Sequence, residues 1–299
     1  MIAPAPMFCS NGSMCTAILG LEPDGTVLLA GVREEVTSRA WQPPARHWPD
    51  RPGVIGGRDL QAGGTWLAVA PDARRVACVL NGRGRMAPAP TRRTRGELPL
   101  SAAADGKLAL TDLADLDPFR LLVAEPGHAL LSSWNGGQLA EQDLGLGLHM
   151  VVNSGLASGP ASDLLSAGAG APDAAPADSG PGGLTAGQAA DARTHELARV
   201  GYFLPRLRAA RRPHPEPGVP VATAWGDWLP LVNGGGIGLD DQRALIVLRD
   251  LGEGRFWGTT SVSLVAITPG GIRYDFTGNP GVAAAWSPVS LDDCPQAVD

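Results

Sequence analysis

Cys15-Thr-Ala-Ile-Leu-Gly-Leu21, Glu22-Pro-Asp-Gly25, Thr26-Val-Leu-Leu-Ala30 is the stretch that decides the fold. A short apolar run, a Pro23-Asp24-Gly25 turn and a second apolar run read as a β-hairpin. Proline pre-sets one turn dihedral, and glycine adopts the left-handed one that the tight reversal needs. Working outward, strand-length apolar runs recur at 66–70, 76–80, 119–124 and 129–133, and Asn135-Gly136-Gly137 makes a turn before Gln138–Asp143. The first half of the chain is therefore expected to be rich in antiparallel strands.

From residue 158 to residue 193 the composition collapses to Ala, Gly, Pro, Ser and Asp, too small and polar to hold a core, so this segment is expected to be a disordered insertion. Beyond it, Leu197, Val200, Leu204 and Leu207 recur at helical spacing between arginines, and Pro205 should kink or shorten the helix. We read it as a surface helix. Strands are expected again at 244–249, 261–267 and 272–276, the last two joined across Pro269-Gly270-Gly271. Strands, helices, then strands indicate an α+β layered architecture. Residues 14–299 are expected to form one domain around a shared sheet system, with residues 1–13 an extension in front of it.

The formal net charge of −6 and a pI near 5.4 disfavour nucleic acid, which selects clustered Lys and Arg. The densest basic stretch, Arg92, Arg93 and Arg95, lacks an interleaved aromatic and reads as a solvated loop. No apolar run reaches the roughly 18–20 residues of a membrane helix, and residues 1–13 carry neither the basic nor the apolar part of a secretory signal. A cytoplasmic location with no membrane span is the expectation. Cys9, Cys15, Cys78 and Cys294 form no C-x-x-C pair, and the five histidines are scattered, so we expect neither a metal nor any other cofactor. Cys78, inside an apolar run, reads as a buried hydrophobe. Gly234-Gly235-Gly236 reads as a loop, since it does not open a helix bearing a Lys.

Several ordered stretches carry a family resemblance. Met14-Cys15-Thr16-Ala17-Ile18 is followed by Gly31-Val32-Arg33-Glu34-Glu35, then by Gly57-Arg58-Asp59 and Gly63-Gly64-Thr65-Trp66-Leu67. Asn81, Arg95-Gly96-Glu97-Leu98, Asn153 and Trp257-Gly258-Thr259-Thr260-Ser261 continue the order. This pattern resembles the NRDE family, also called the transport-and-Golgi-organisation-2 family. Gly-Gly-Thr-Trp-Leu is its most diagnostic piece, and Arg33 and Glu35 fall in its Asn-Arg-Asp-Glu position. The resemblance implies a four-layer αββα sandwich of the N-terminal-nucleophile hydrolase type, with Cys15 in the nucleophile's place.

Such a fold uses a thiol at the mature N-terminus, whose own α-amine serves as the base. A start at Met14, followed by removal of that Met, would expose Cys15. Arg33 would favour the thiolate; its competing reading is an ordinary ion pair with Glu34 or Glu35. Asn81 and Asn153 would donate to an oxyanion, or simply form turns. Glu35, Thr65, Trp66, His149 and Thr260 complete the expected substrate pocket. The family's Asn and a later Arg are replaced here by Val32 and Thr260. Two functions follow: a cysteine hydrolase of a small-molecule amide, or a non-catalytic binding or trafficking protein for haem, lipid or acyl-CoA.

Overall fold

The computed structural model describes residues 15–108, 112–157 and 186–291. The hairpin is β1 (Thr16–Leu21) and β2 (Val27–Val36), antiparallel with Ala17 opposite Gly31 and Leu21 opposite Val27. Its turn is held by the Asp24 carboxylate, which accepts from the Thr26 backbone N–H at 2.8 Å, and Gly25 takes the left-handed φ of +85°. Seven further strands follow in the first half: β3 (Trp41–Ala45), β4 (Ile55–Asp59), β5 (Leu67–Ala70), β6 (Arg75–Asn81), β7 (Phe119–Glu125), β8 (His128–Trp134) and β9 (Leu139–Asp143). These form one antiparallel sheet in simple chain order.

The second sheet gathers both ends of the chain. Its order is β11 (Gly155–Ala157), β10 (Gly147–Val152), β1, β2, β13 (Arg255–Thr268), β14 (Gly271–Thr277) and β15 (Ser287–Pro288), with β12 (Leu248–Gly252) paired on β13. The hairpin thus lies in the middle of this sheet. That position explains its unbroken hydrophobicity, because both of its faces are covered. Ala17, Leu19, Leu21, Val27 and Leu29 point to the other sheet, where they meet Ile55, Leu67, Cys78 and Leu122 in one core. Ile18, Leu28, Ala30 and Val32 point the opposite way, into a core shared with helices α2 (Ala186–Ala209), α3 (Val221–Trp225) and α4 (Trp228–Val232). On the far face of the seven-stranded sheet, α1 (Glu97–Asp105) buries Leu98, Leu100, Ala102 and Ala103 against Ala68, Ala77 and Leu121. The chain is mixed α+β, mostly sheet.

Several expectations change. β3 and β4 were hidden by Pro43-Pro44 and Gly56-Gly57, which do not look like strand interiors. β3 is an edge strand with an irregular register between Gln42 and Ala45, where proline is tolerated. Residues 244–247 are buried but not in a strand, and β12 begins only at Leu248. α2 starts at Ala186, inside the segment expected to be disordered, and the rest of that segment, 158–185, lies outside the described residues. Alanine, which made the composition look coreless, is also the best helix former.

Nor is α2 a surface helix. Val200, Phe203, Leu204 and Leu207 are buried, and so are its charged Glu196 and Arg199. Pro205 does not end it. The carbonyl that Pro205 leaves without a partner, and against which its ring would press, belongs to the exposed Gly201, where nothing bulky stands and water can bond. Gly234, Gly235 and Gly236 all adopt positive φ in a loop.

Candidate functional site

Because β1 and β2 run antiparallel, the residue preceding β1 and the second half of β2 come to the same end of the sheet. Cys15 and Arg33 therefore meet there, and the Cys15 Sγ lies 3.7 Å from the Glu34 carbonyl oxygen. Strand alternation then separates the two glutamates. Glu34 faces the helices, where its carboxylate pairs with Arg199 at 2.7 Å, both side chains being essentially without exposure. Arg33 and Glu35 face the other sheet. Beyond them opens a cavity of about 150 Å³, walled by Cys15, Arg33, Glu35, Thr65, Trp66 and Asn81 among others.

Arg33 is only 6% exposed and is held from every side. Its Nη1 donates to Thr260 Oγ1 at 2.8 Å, and its guanidinium carbon lies 4.4 Å over the Trp66 ring. Glu35 and Asp59 stand 3.9 and 3.8 Å from its Nη2, too far for hydrogen bonds but close enough for charge. Burial pulls the Arg33 pKa down; Glu35, then Cys15 and Asp59, push it back up. An arginine so placed stays charged. The ion pair of Arg33 with Glu35 is present, but Arg33's side of it is buried, so it is not a surface contact.

Asp59 ends β4. One of its carboxylate oxygens accepts from the Gln61 and Ala62 backbone N–H groups at 2.9 and 3.0 Å, capping the loop. The other accepts from Arg39 Nε at 2.7 Å. Arg39, from the turn after β2, is thus a second guanidinium on the cavity, at a site where the resembled family's own second arginine is replaced by Thr260.

The two motif stretches 63–67 and 95–98 meet backbone to backbone. Thr65 N–H donates to the Gly96 carbonyl at 3.0 Å, and a Cβ on Gly64 would lie 2.4 Å from the Gly96 carbonyl carbon. This contact brings Arg92, Arg93, Thr94 and Arg95 to the cavity wall, so the supposed solvated loop is part of the site. Gly57 plays a similar part for Trp66, whose ring would lie 2.4 Å from a Cβ there. Trp66 also packs edge-to-face on Trp41 at 6.1 Å.

With this geometry in view, residues 14–162 match the family model described as Transport and Golgi organisation 2. Over that stretch the chain belongs to this family. No individual curated protein matches it. The Transport and Golgi organisation 2 segment runs through β11, contains all of the seven-stranded sheet and supplies every cavity residue named above. It stops short of α2 and the strands after it.

Three expected site residues lie off the cavity wall. Thr260 falls where the register between β13 and β2 shifts, which aims its hydroxyl at Arg33; it holds the arginine and does not line the cavity. His149 pairs with Leu19, well down β1 from Cys15, and its Nε2 lies 2.7 Å from the Gly145 carbonyl oxygen. Asn153 directly follows Val152, the partner of Thr16, and so stands buried at Cys15's end of the sheet. Thr65 is on the wall, but its hydroxyl donates to the Leu67 carbonyl at 2.8 Å and is turned to the backbone.

Asn81, at the end of β6, presents a side-chain amide that makes no hydrogen bond among the described residues. Cys78, on the same strand, is buried, and burial pushes its thiol pKa up, with Cys15 adding to the rise. Among the described residues no group of His, Cys, Asp and Glu is placed to hold a metal ion, and no helix is long and apolar enough to cross a membrane.

Proposed function

We propose that the chain is a cysteine hydrolase of amide bonds, built on the N-terminal-nucleophile plan. The observation that carries this reading is the sharing of one small cavity by the Cys15 thiol, a buried charged Arg33 and the unengaged amide of Asn81. The order helices, sheet, sheet, helix, with the thiol at the head of a central strand, is what a four-layer αββα nucleophile fold requires.

In this reading Cys15 becomes the first residue, and its α-amine takes the thiol proton. The thiolate, favoured by the Arg33 charge, attacks the carbonyl carbon. The carbonyl oxygen then gains negative charge, which the Asn81 N–H groups receive. Collapse breaks the C–N bond; the amine leaves with the proton and a thioester remains on Cys15. Water, deprotonated by the same α-amine, cleaves that thioester to free acid and thiol.

The cavity size favours this reading over a haem carrier. About 150 Å³ is below the ~300–1,000 Å³ typical of sites that enclose a cofactor-sized ligand. It suits a scissile group whose substituents reach outward. The test uses protein processed to begin at Cys15, a thiol-reactive probe mapped by mass spectrometry, and a panel of acylated amines and amino acids. Labelling at Cys15 and turnover lost in Cys15→Ala are expected. Absence of both labelling and turnover would remove the hydrolase reading.

A further inference from the structure

The charges on the cavity wall do not balance locally. Each carboxylate there is already engaged: Glu34 by Arg199 on the helix side, Glu35 and Asp59 by Arg33 and Arg39, and Asp117 by Arg92 at 3.2 Å. Arg93 and Arg95 remain. Among the described residues neither has a carboxylate within 4.0 Å. Arg95 is half-buried and donates from Nη1 to the Pro118 carbonyl at 2.9 Å; Arg93 is exposed at the rim. A chain of net charge −6 therefore holds two uncompensated guanidiniums on the wall of its cavity.

The loop that carries them is fixed. The Arg93 N–H donates to the Asp115 carbonyl at 2.8 Å, the Gly96 N–H to Thr94 Oγ1 at 3.1 Å, and Gly96 is locked against Gly64 and Thr65. A guanidinium held in place loses less freedom on binding an oxyanion, and its planar fork matches a carboxylate.

We propose that Arg93 and Arg95 bind the carboxylate of an acylated amino acid, whose scissile carbonyl faces Cys15 and Asn81. The size of the cavity links the two groups. At about 150 Å³ it is small, which suits an anion and a carbonyl only a few bonds apart, as they are in an N-acyl α-amino acid. The identity of the amide rests on the hydrolase reading; the carboxylate site does not.

The test titrates the full chain calorimetrically with N-hexanoylglycine, its methyl ester and its primary amide, in the Cys15→Ala variant so that nothing turns over. The acid is expected to bind about tenfold or more tightly than either neutral analogue, the scale of a charge-assisted pair. Arg93→Gln with Arg95→Gln should erase that preference; Arg93 is exposed, and a glutamine amide in place of Arg95 can still donate a hydrogen bond, so the pair of changes is compatible with folding, which far-ultraviolet circular dichroism checks. Equal binding of acid and ester, persistence of the preference in the double variant, or no saturable binding of the acid would each overturn the carboxylate site. Turnover assays with protein processed to begin at Cys15 separate the two ideas. Acid preference in binding with no turnover overturns the hydrolase reading and keeps the site. Equal turnover of acid and ester overturns the site and keeps the hydrolase.

Discussion

Arg199→Met tests whether the start of β1 is held from the helix side. Arg199 is 1% exposed and its partner Glu34 not at all, and they meet at 2.7 Å. Arg199 also donates to the Ala244 carbonyl at 2.8 Å and to Thr16 Oγ1 at 2.9 Å, so one guanidinium ties α2 to both strands of the hairpin and to the segment before β12. Methionine fills much of the same volume, so the change leaves little cavity. The dominant cost is a carboxylate buried without its main counter-charge, about 3–5 kcal/mol.

The two donated hydrogen bonds belong to the same group and are not added in full. A loss of ~4 kcal/mol against a urea slope of ~3 kcal/mol per molar lowers the unfolding midpoint by roughly 1.3 M. Adding Glu34→Gln removes the stranded charge and should restore more than half of the loss. Urea unfolding followed by tryptophan fluorescence reads all three proteins. A single-variant loss under ~1 kcal/mol, or a double variant no more stable than the single, would refute the reasoning.

Gly64→Ala should destabilise by about 1–3 kcal/mol or prevent folding, because its Cβ would lie 2.4–2.6 Å from Gly96 backbone atoms that cannot rotate away; thermal unfolding measures it. In the native protein at neutral pH a maleimide should label Cys15 and spare Cys78, which is 4% exposed and whose thiol pKa is raised by burial; peptide mapping decides, and fast Cys78 labelling would contradict the packing. Asp241, hydrogen-bonded by Arg243, should titrate at about 2 by carboxyl chemical shift. Its folded pKa is depressed, so any stabilisation is complete above the ordinary carboxylate range and fades as pH falls through about 2.

The hairpin was legible because its turn chemistry and its apolar runs agree, and because a strand covered on both faces must be apolar throughout. β3, β4 and the burial of α2 were not. Proline in β3 and glycine in β4 conceal those strands from any periodicity, and nothing in the spacing of arginines along α2 says that Arg199 will meet Glu34 across 165 positions. The gathering of Cys15, Arg33, Trp66 and Asn81 came from family resemblance, since period-two patterning places residues on faces, not at a shared end. Arg39 escaped because a lone arginine in a loop carries no pattern, and the stretch with Arg93 and Arg95 read as solvated because a short basic run in a loop shows nothing of what it packs against. What brings Arg93 and Arg95 to the cavity is the contact of two glycines, Gly64 and Gly96, that look in sequence like ordinary turn residues.

The central place of β2, between β1 and β13, has a consequence for the order in which the protein comes into being. Cys15 and Arg33 leave the ribosome well before the strand that completes β2, and the hydroxyl that holds Arg33 lies 227 residues after that arginine. Until β13 has emerged, β2 is an open edge with a buried-type arginine in water. So large a separation makes folding slow and late. A nascent chain that has not yet reached β13 therefore carries the Cys15 thiol without the completed surroundings that the folded protein gives it.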